Sequence, residues 1–157
     1  MLSIYGFIYL IRIGDDRAVS SVHKDPYENI YCVTHGSKQF ILLPPTDTPY
    51  LYRKNYKMAQ YKADLSLKDL EGEVPWIPVD PEYPDLNKYP LFEHASPIEV
   101  NLDQGDVLYL PSLWYHKVKQ SSGQDKRTIA VNFWYDMQFD ARFTWTVFQD
   151  KILNTSS

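Results

Sequence analysis

The feature that most constrains the fold of this chain is a series of short β-type runs separated by turn residues. The runs cover residues 8–13, 18–23, 29–33, 38–43, 98–102, 107–110, 114–119 and 129–135. Segments of helical length do not alternate with them, which argues against a parallel α/β sheet. Eight short strands in two groups predict an all-β domain of the jelly-roll type, also called a double-stranded β-helix.

The two groups of strands are separated by a long insertion over residues 44–97, which begins at Pro44-Pro45. Repeated Tyr and Pro predict an irregular connection, and only Ala59 to Leu70 has a composition that favours a helix. A connection of this length inside a compact domain is usually functional.

A C-terminal amphipathic helix is predicted over residues 139–153. Its apolar positions at helical spacing are Phe139, Phe143, Val147, Phe148 and Ile152. With 157 residues, the chain is long enough for one core and too short for two ordinary domains. We therefore expect a single domain over residues 1–157, with core strands within 8–43 and 98–136.

Composition and charge narrow the classes of partner. Aromatic residues make up 15% of the chain, which favours strands because flat rings pack well on pleated surfaces. The formal net charge of −4 gives no electrostatic reason to bind nucleic acid, because phosphate contacts need clustered Lys and Arg. A basic protein partner suits this charge better.

The cysteine content and the N-terminal run bear on localisation. The single cysteine, Cys32, cannot form an intramolecular disulfide, which favours a reducing compartment. Met1 to Ile11 is apolar, but it lacks the basic start and the cleavage site of a signal peptide and is too short to cross a bilayer. We expect no membrane association and a cytoplasmic protein, with the nucleus as an additional location.

The first candidate functional motif is His23-x-Asp25 at the end of a predicted strand. Residues i and i+2 of a strand point to the same face, so this imidazole and this carboxylate can share one metal ion. The alternative is a surface histidine followed by an aspartate that caps the turn before Pro26.

A second motif places another imidazole in the same domain. Gly105, Pro111 and His116 describe a strand start, a stiff corner and an inward-facing histidine. Two histidines and one carboxylate on one face of an iron ion leave three coordination positions open for a bidentate substrate and O₂. Structural zinc prefers four ligands with thiolates, and the chain offers only Cys32.

With these residues in place, the chain resembles the cupin-like jumonji-C family of iron(II) and 2-oxoglutarate oxygenases. The resemblance runs from about Ile11 to the C-terminus and rests on VHKDPYENIYCV, VPWIPVDP, LYLPSLWYHKV and AVNFWYD, which occur in the family's order. It implies a cupin-like jelly roll with Fe(II) and 2-oxoglutarate as cofactors. Relatives carry a further region before the jelly roll, and we expect this chain to lack it.

The resemblance assigns the catalytic iron ligands residue by residue. The matching positions are His23, Asp25 and His116. Lys38 matches the lysine that pairs with the distal carboxylate of 2-oxoglutarate in this branch of the family. A compact ammonium can neutralise a carboxylate buried in the barrel, whereas the alternative role is a solvated hairpin lysine.

The remaining expected cosubstrate contacts are two asparagines and two aromatic residues. Asn29 and Asn132 match asparagines that hydrogen-bond the cosubstrate near the metal, and an amide can both donate and accept in a buried polar site. Tyr31 and Trp134 are expected to form walls of the same pocket. Core packing is the alternative for both rings.

The implied activity is hydroxylation of a carbon atom in a protein substrate while 2-oxoglutarate is oxidised to succinate and CO₂. The resemblance implies C3 hydroxylation of a lysine in developmentally regulated GTP-binding proteins. Two alternatives stay open: a demethylase or endopeptidase that acts on histone tails, and a folded but catalytically silent binding module. A homodimer formed through the C-terminal helix is a further expectation, with core packing as the other explanation of its apolar positions.

Overall fold

The computed structural model describes residues 7–122 and 126–155. Residues 1–6, 123–125 and 156–157 lie outside the described residues, and with them lie the start of the apolar N-terminal run and part of the polar link before the last predicted strand. The strands are β1 (Phe7–Gly14), β2 (Ser20–Lys24), β3 (Tyr27–His35), β4 (Ser37–Leu43), β5 (Lys54–Tyr61), β6 (Leu67–Trp76), β7 (Ile98–Leu102), β8 (Val107–Leu110), β9 (Tyr115–Ser121) and β10 (Thr128–Asp136). Two short 3₁₀ helices span Pro45–Tyr50 and Pro90–His94, and the α-helix is α1 (Ala141–Thr155).

Eight of these strands form two four-stranded antiparallel sheets. Sheet I has the order β1-β10-β3-β8, and sheet II has the order β2-β9-β4-β7. Neighbouring strands in each sheet are far apart in the sequence, which is the crossover pattern of a jelly roll. The predicted all-β jelly roll with a C-terminal helix is confirmed.

Alternation along the strands decides which side chains enter the space between the sheets. In β3, Tyr31 and Val33 are buried, whereas Ile30 before them and Thr34 after them are exposed. The inward side chains of sheet I pack against Phe40 and other apolar residues of sheet II. One apolar cluster therefore lies between the two sheets and forms one wall of the space described below. A second cluster packs insertion residues, among them Leu51 and Ile77, against Val22, Leu43 and Tyr115 of sheet II.

The prediction of a helix from the composition of Ala59 to Leu70 is wrong. The segment belongs to a β-hairpin, because β5 and β6 pair antiparallel as a separate two-stranded sheet. In its turn, the Lys62 backbone N–H donates to the Ser66 carbonyl, and the Asp64 carboxylate accepts from the Ser66 N–H. Asp and Ser favour such local bonds over a helix, and so short a helix is marginal in water. The described chain thus has ten strands rather than eight.

The segment after β6 is held against sheet II by a buried cation. Lys117 of β9 donates from Nζ to the Asp80 carboxylate at 2.6 Å and to the Glu82 carboxylate at 3.0 Å. Burial lowers the pKa of Lys117, but the two carboxylates outweigh burial and leave this pKa raised. The ammonium therefore stays charged, and it fixes the insertion beside the strand that carries His116.

Helix α1 is attached to the jelly roll by ion pairs at both ends. Near its start, Arg142 lies 3.6 Å from the Glu28 carboxylate of β3. Asp150 forms ion pairs with Arg53 of the insertion and, at 3.6 Å, with Lys24 at the end of β2. The opposite side of the helix carries exposed aromatic residues, among them Trp145 and Phe148. Within the described ranges, no helix is long and apolar enough to span a membrane.

Candidate metal centre

The candidate metal ligands meet where β2 and β9 pair. His23 and His116 are direct register partners in this antiparallel pair. Directly opposed residues have their side chains on the same face of the sheet. The two imidazole centroids are accordingly 4.2 Å apart. Asp25 follows β2, and its carbonyl accepts a hydrogen bond from the Leu113 N–H at 2.9 Å, which holds the carboxylate beside the histidines.

Each imidazole is oriented by a backbone carbonyl. Nδ1 of His23 lies 2.8 Å from the Ser21 carbonyl oxygen, and Nδ1 of His116 lies 3.1 Å from that of Trp114. Such contacts place the proton on Nδ1 and leave Nε2 as the ligand atom. The Nε2 atoms of His23 and His116 lie 4.0 and 3.8 Å from Asp25 Oδ2, and all three ligand atoms fall within 4.8 Å of one another.

Burial determines the charge of His116. Its side chain is 6% exposed. Burial, together with the neighbouring His23, lowers the pKa of His116 to about 4 against the opposing effects of its backbone hydrogen bond and of Asp25. The imidazole is therefore neutral at pH 7, which is the form that binds metal ions.

A cavity of about 390 Å³ opens between the two sheets beside the three ligand candidates. Sheet I and sheet II both contribute to its wall. The sequence-predicted residues that line it are His23, Asp25, Asn29, Tyr31, Lys38, His116, Asn132 and Trp134. The fold thus brings every predicted site residue to one cavity.

Lys38 is the buried cation of this cavity. The residue is 6% exposed, and its Nζ donates to Gln120 Oε1 and lies 6.0 Å from the Tyr31 ring centroid. Burial, followed by repulsion from Arg12, lowers the pKa of Lys38 to about 8. An ammonium has three donors, and the amide of Gln120 accepts one of them. The remaining donors suit an anionic ligand.

The two asparagines differ in what they offer a ligand. Asn29 is buried, and its Oδ1 has no hydrogen-bond partner among the described residues. The amide of Asn132, in its satisfied orientation, donates to the Leu10 carbonyl at 3.2 Å and accepts from Trp134 Nε1 at 2.9 Å. Asn29 therefore has an open acceptor, whereas Asn132 mainly holds β1 and Trp134 in place.

The two aromatic residues form walls and also pack. Tyr31 contacts the edge of Phe40 with ring centroids 5.0 Å apart, and Trp134 stacks on Tyr27 at 5.2 Å. Burial raises the pKa of Tyr31, so its hydroxyl remains protonated. Both rings line the cavity as well. A direct contact of either ring with a cosubstrate stays a prediction.

The residues present fit Fe(II) and 2-oxoglutarate. Two imidazoles and one carboxylate form the donor set that non-haem iron uses when it keeps positions open for a chelating ligand. The same cavity holds a buried ammonium and a buried amide oxygen without a partner. Such polar groups are costly unless a ligand completes their interactions.

Three residues of this region were not singled out by sequence reasoning. Trp76 at the end of β6 stacks parallel to His23 with centroids 6.1 Å apart, and its Nε1 donates to Ser21 Oγ. Gln120 binds Lys38, and Arg12 lies over the Trp134 ring. Trp76 belongs to the block VPWIPVDP, so the sequence motif could have identified it. The roles of Gln120 and Arg12 depend on sheet pairing, which the motifs do not show.

Comparison with known proteins identifies the family to which this site belongs. The Cupin-like domain model matches residues 9–141. The chain is 41% identical over 150 residues to the bifunctional peptidase and (3S)-lysyl hydroxylase JMJD7 of Homo sapiens, covering 92% of this chain and 46% of that protein. It is 45% identical to lysine-specific demethylase JMJ32 of Arabidopsis thaliana, covering 92% and 46%. It is 40% identical to JmjC domain-containing protein E of Dictyostelium discoideum, covering 87% and 44%.

The chain spans about half the length of these relatives, and the matched part contains the whole His-Asp-His cluster. Fe(II) and 2-oxoglutarate are the cofactors of this group of proteins, in agreement with the donor set and the buried cation described above. The chain therefore belongs to the family of cupin-like jumonji-C domains.

Proposed function

We propose that this chain is an Fe(II)- and 2-oxoglutarate-dependent protein hydroxylase that acts on C3 of a lysine side chain. The observation that carries the proposal is the cluster of His23, Asp25 and His116 beside a cavity that contains the buried Lys38. When bound, iron and 2-oxoglutarate supply the oxidation of a C–H bond coupled to decarboxylation of the keto acid.

The chain's own residues would bind the metal ion and the keto acid, orient them, and exclude water from the cavity. His23, Asp25 and His116 would hold the iron on one face, and Lys38 would hold the distal carboxylate of the keto acid. Apolar side chains line much of the remaining wall, among them Phe40. They keep water from the reacting groups and strengthen the charge interactions within the cavity.

The lysyl substrate is supported by the similarity to a protein whose name includes (3S)-lysyl hydroxylase activity. The jumonji-C resemblance further supports a developmentally regulated GTP-binding protein as the partner. A basic substrate segment also complements the net charge of −4.

Two alternatives have specific support. The 45% identity to a lysine-specific demethylase, and the peptidase activity in the name of JMJD7, favour a demethylase or an endopeptidase. The jumonji-C resemblance implies histone tails as the substrate of either activity. A silent binding module is supported by the outer face of sheet I, where Ile13 and Val107 are 70% and 61% exposed. An apolar face of this kind is typical of a surface that something else covers.

The three activities leave different products on the substrate. The experiment incubates the chain with Fe(II), 2-oxoglutarate, air and either a lysine-containing segment of a developmentally regulated GTP-binding protein or a methylated histone tail, followed by mass spectrometry. Hydroxylation adds one oxygen atom, demethylation removes a methyl group, and proteolysis shortens the chain. We expect oxygen addition that the variant His116→Ala lacks.

The outcome of the same assay can also reject the proposal. Loss of methyl groups without oxygen addition would favour the demethylase. Cleavage that persists without 2-oxoglutarate would favour the peptidase. A folded, iron-loaded chain that forms no succinate with any substrate would favour the binding module.

We also propose a cytoplasmic and nuclear location, which the single, unpaired Cys32 supports. A homodimer through α1 is supported by the exposed stripe of Trp145, Phe148 and Ile152. Light scattering of the chain and of Trp145→Glu tests this assembly. A monomeric mass for the unsubstituted chain at all concentrations would contradict it.

A further inference from the structure

Arg12 extends along the inner wall of the cavity. Its register partner in sheet I is Ala130, whose side chain is fully buried between the sheets, so the Arg12 side chain leaves β1 on the inner face. Its guanidinium lies 5.8 Å from the Trp134 ring centroid. The register partner of Trp134 is Ile8, not Arg12. To reach the Trp134 ring, the Arg12 side chain therefore runs along β1 and over the neighbouring cavity wall.

The cavity carries two cations that no carboxylate neutralises. Neither Arg12 nor Lys38 forms an ion pair in the part of the chain that the structure describes. The one carboxylate among the lining residues is Asp25, which lies with the histidines. The nearby Asp15 is bound by Arg17 at 2.7 Å. Lys38 is buried, whereas Arg12 is exposed. An unpaired buried ammonium with an unpaired guanidinium beside it, in a chain of net charge −4, indicates an anionic ligand.

Gln120 fixes the position of Lys38 relative to the end of β1. Its Oε1 accepts from Lys38 Nζ, and its Nε2 donates to the Asp15 carbonyl at 2.6 Å. Gly14 leaves room for this amide, because a Cβ there would lie 2.6 Å from Gln120 Nε2. The bridge therefore joins Lys38 to the turn that follows Arg12.

Resting on the proposed function, we propose that Arg12 is a second cation for the distal carboxylate of the keto acid and makes the cavity selective for a doubly charged cosubstrate. Lys38 contacts the carboxylate directly from sheet II, and Arg12 approaches it from sheet I. A guanidinium is more weakly hydrated than an ammonium, and here it contacts the Trp134 ring. Both properties suit Arg12 to this wall of the cavity.

The electrostatics of Lys38 agree with a nearby guanidinium. After burial, Arg12 is the cause that lowers the pKa of Lys38. The groups that face Lys38 in the described structure are Tyr31 from β3, Gln120 from β9 and Arg12 from β1, and Leu102 is its apolar register partner in β7. Tyr31 is protonated and Gln120 is neutral, so Arg12 is the charged group among them.

The experiment measures equilibrium binding of two keto acids to the Mn(II)-loaded chain, which holds a metal without turnover. One ligand is 2-oxoglutarate, and the other is 2-oxopentanoate, which has the same chelating end but no distal carboxylate. The variants are Arg12→Met, Arg12→Lys and, as a matched control, Arg17→Met. Arg17 is an exposed cation of the adjacent turn that Asp15 already neutralises.

We expect Arg12→Met to weaken 2-oxoglutarate binding by about three- to fivefold at low salt, because the guanidinium is partly solvated. Binding of 2-oxopentanoate should stay unchanged, and Arg12→Lys should restore most of the loss. The pH above which 2-oxoglutarate binding declines should move upward in Arg12→Met, since the repulsion of Lys38 is removed. The control should match the unsubstituted chain in every respect.

Three results would overturn the inference while leaving the proposed function intact. They are unchanged 2-oxoglutarate binding in Arg12→Met, an equal loss for both keto acids, and an unmoved pH profile. An effect of Arg12→Met on the protein substrate alone would assign Arg12 to an acidic group of that substrate instead. If the Mn(II)-loaded, unsubstituted chain binds neither keto acid, the proposed function fails as well.

Discussion

His23 and His116 are distant in the sequence and meet because β2 and β9 pair in one register. A slip of one residue in this pairing would turn one imidazole to the other face of the sheet. The carbonyls of Ser21 and Trp114 orient the rings, so the Nε2 atoms face Asp25. The cluster is thus preorganised by the backbone.

Removal of His116 is expected to abolish metal binding while the fold persists. His116→Ala takes away one of three ligands, so we expect the affinity for Fe(II) or Co(II) to fall by more than about a hundredfold. Titration with Co(II), followed by its visible absorption, measures the loss. His94→Ala is the matched control, because His94 is an exposed histidine beside Glu93. Equal metal affinity in both variants would rule out His116 as a ligand.

Binding of 2-oxoglutarate is expected to depend on pH through Lys38. The pKa of Lys38 is about 8, so the ammonium is present below this pH and is lost as the pH rises through it. Keto-acid affinity of the metal-loaded chain should therefore be highest below about pH 8 and fall above it.

Lys38→Met should lower the affinity by roughly tenfold or more and remove this decline. Lys54→Met, at an exposed position of β5, is the control. A decline of the same size in Lys38→Met would assign the titration to another group.

Motif reasoning found the residues that follow short, fixed spacings, and it missed those that depend on pairing between distant strands. His23 and Asp25 are two positions apart, and the strand period alone places them on one face. Arg12 faces the cavity only because β1 pairs with β10 in a particular register. A single sequence does not specify that register for an edge strand with apolar residues on both faces.

At the scale of elements, the insertion shows where composition misleads. Ala59 and Leu70 are good helix formers, but Asp64 and Ser66 close a turn between them, and strand pairing satisfies the backbone on both sides. The hairpin places Trp76 against the ring of His23. The jelly-roll strands were easier to predict, because each is a short β-type run bounded by turn residues.

The attachment of α1 is expected to depend on Asp150. Asp150→Asn weakens its ion pairs with Arg53 and Lys24, so we expect the free energy of unfolding to fall by about 1–2 kcal/mol. Urea unfolding gives the stability, and hydrogen exchange of α1 gives the local effect. Glu93→Gln, an exposed carboxylate beside His94, serves as the control. Unchanged exchange in α1 would show that its other contacts, among them the ion pair between Arg142 and Glu28, hold the helix without Asp150.

At the scale of the whole molecule, the two faces of sheet I have opposite characters. Its inner face lines the cavity, whereas its outer face exposes Tyr9, Ile11 and Ile13 of β1 and Val107 of β8. An apolar face of this extent lowers solubility and attracts other apolar surfaces. The polar inner site and the apolar outer face are separated by the sheet itself, so they can be altered independently.

Polar substitution on the outer face is expected to improve solution behaviour without affecting the site. In the variant Val107→Thr, we expect less binding of a hydrophobic dye and unchanged Co(II) affinity. Dye fluorescence and light scattering measure the first effect. Undiminished dye binding would place the exposed apolar surface elsewhere.

The central claim is that one cavity binds a metal ion and a chelating keto acid together. Anaerobic titration of the chain with Fe(II) and 2-oxoglutarate tests it most directly, because the keto acid gives a visible charge-transfer band only when it chelates the iron. We expect the band to appear in the unsubstituted chain, to be absent in His116→Ala, and to disappear on admission of air as succinate forms. A folded, iron-loaded chain that shows no band at saturating 2-oxoglutarate would contradict the account.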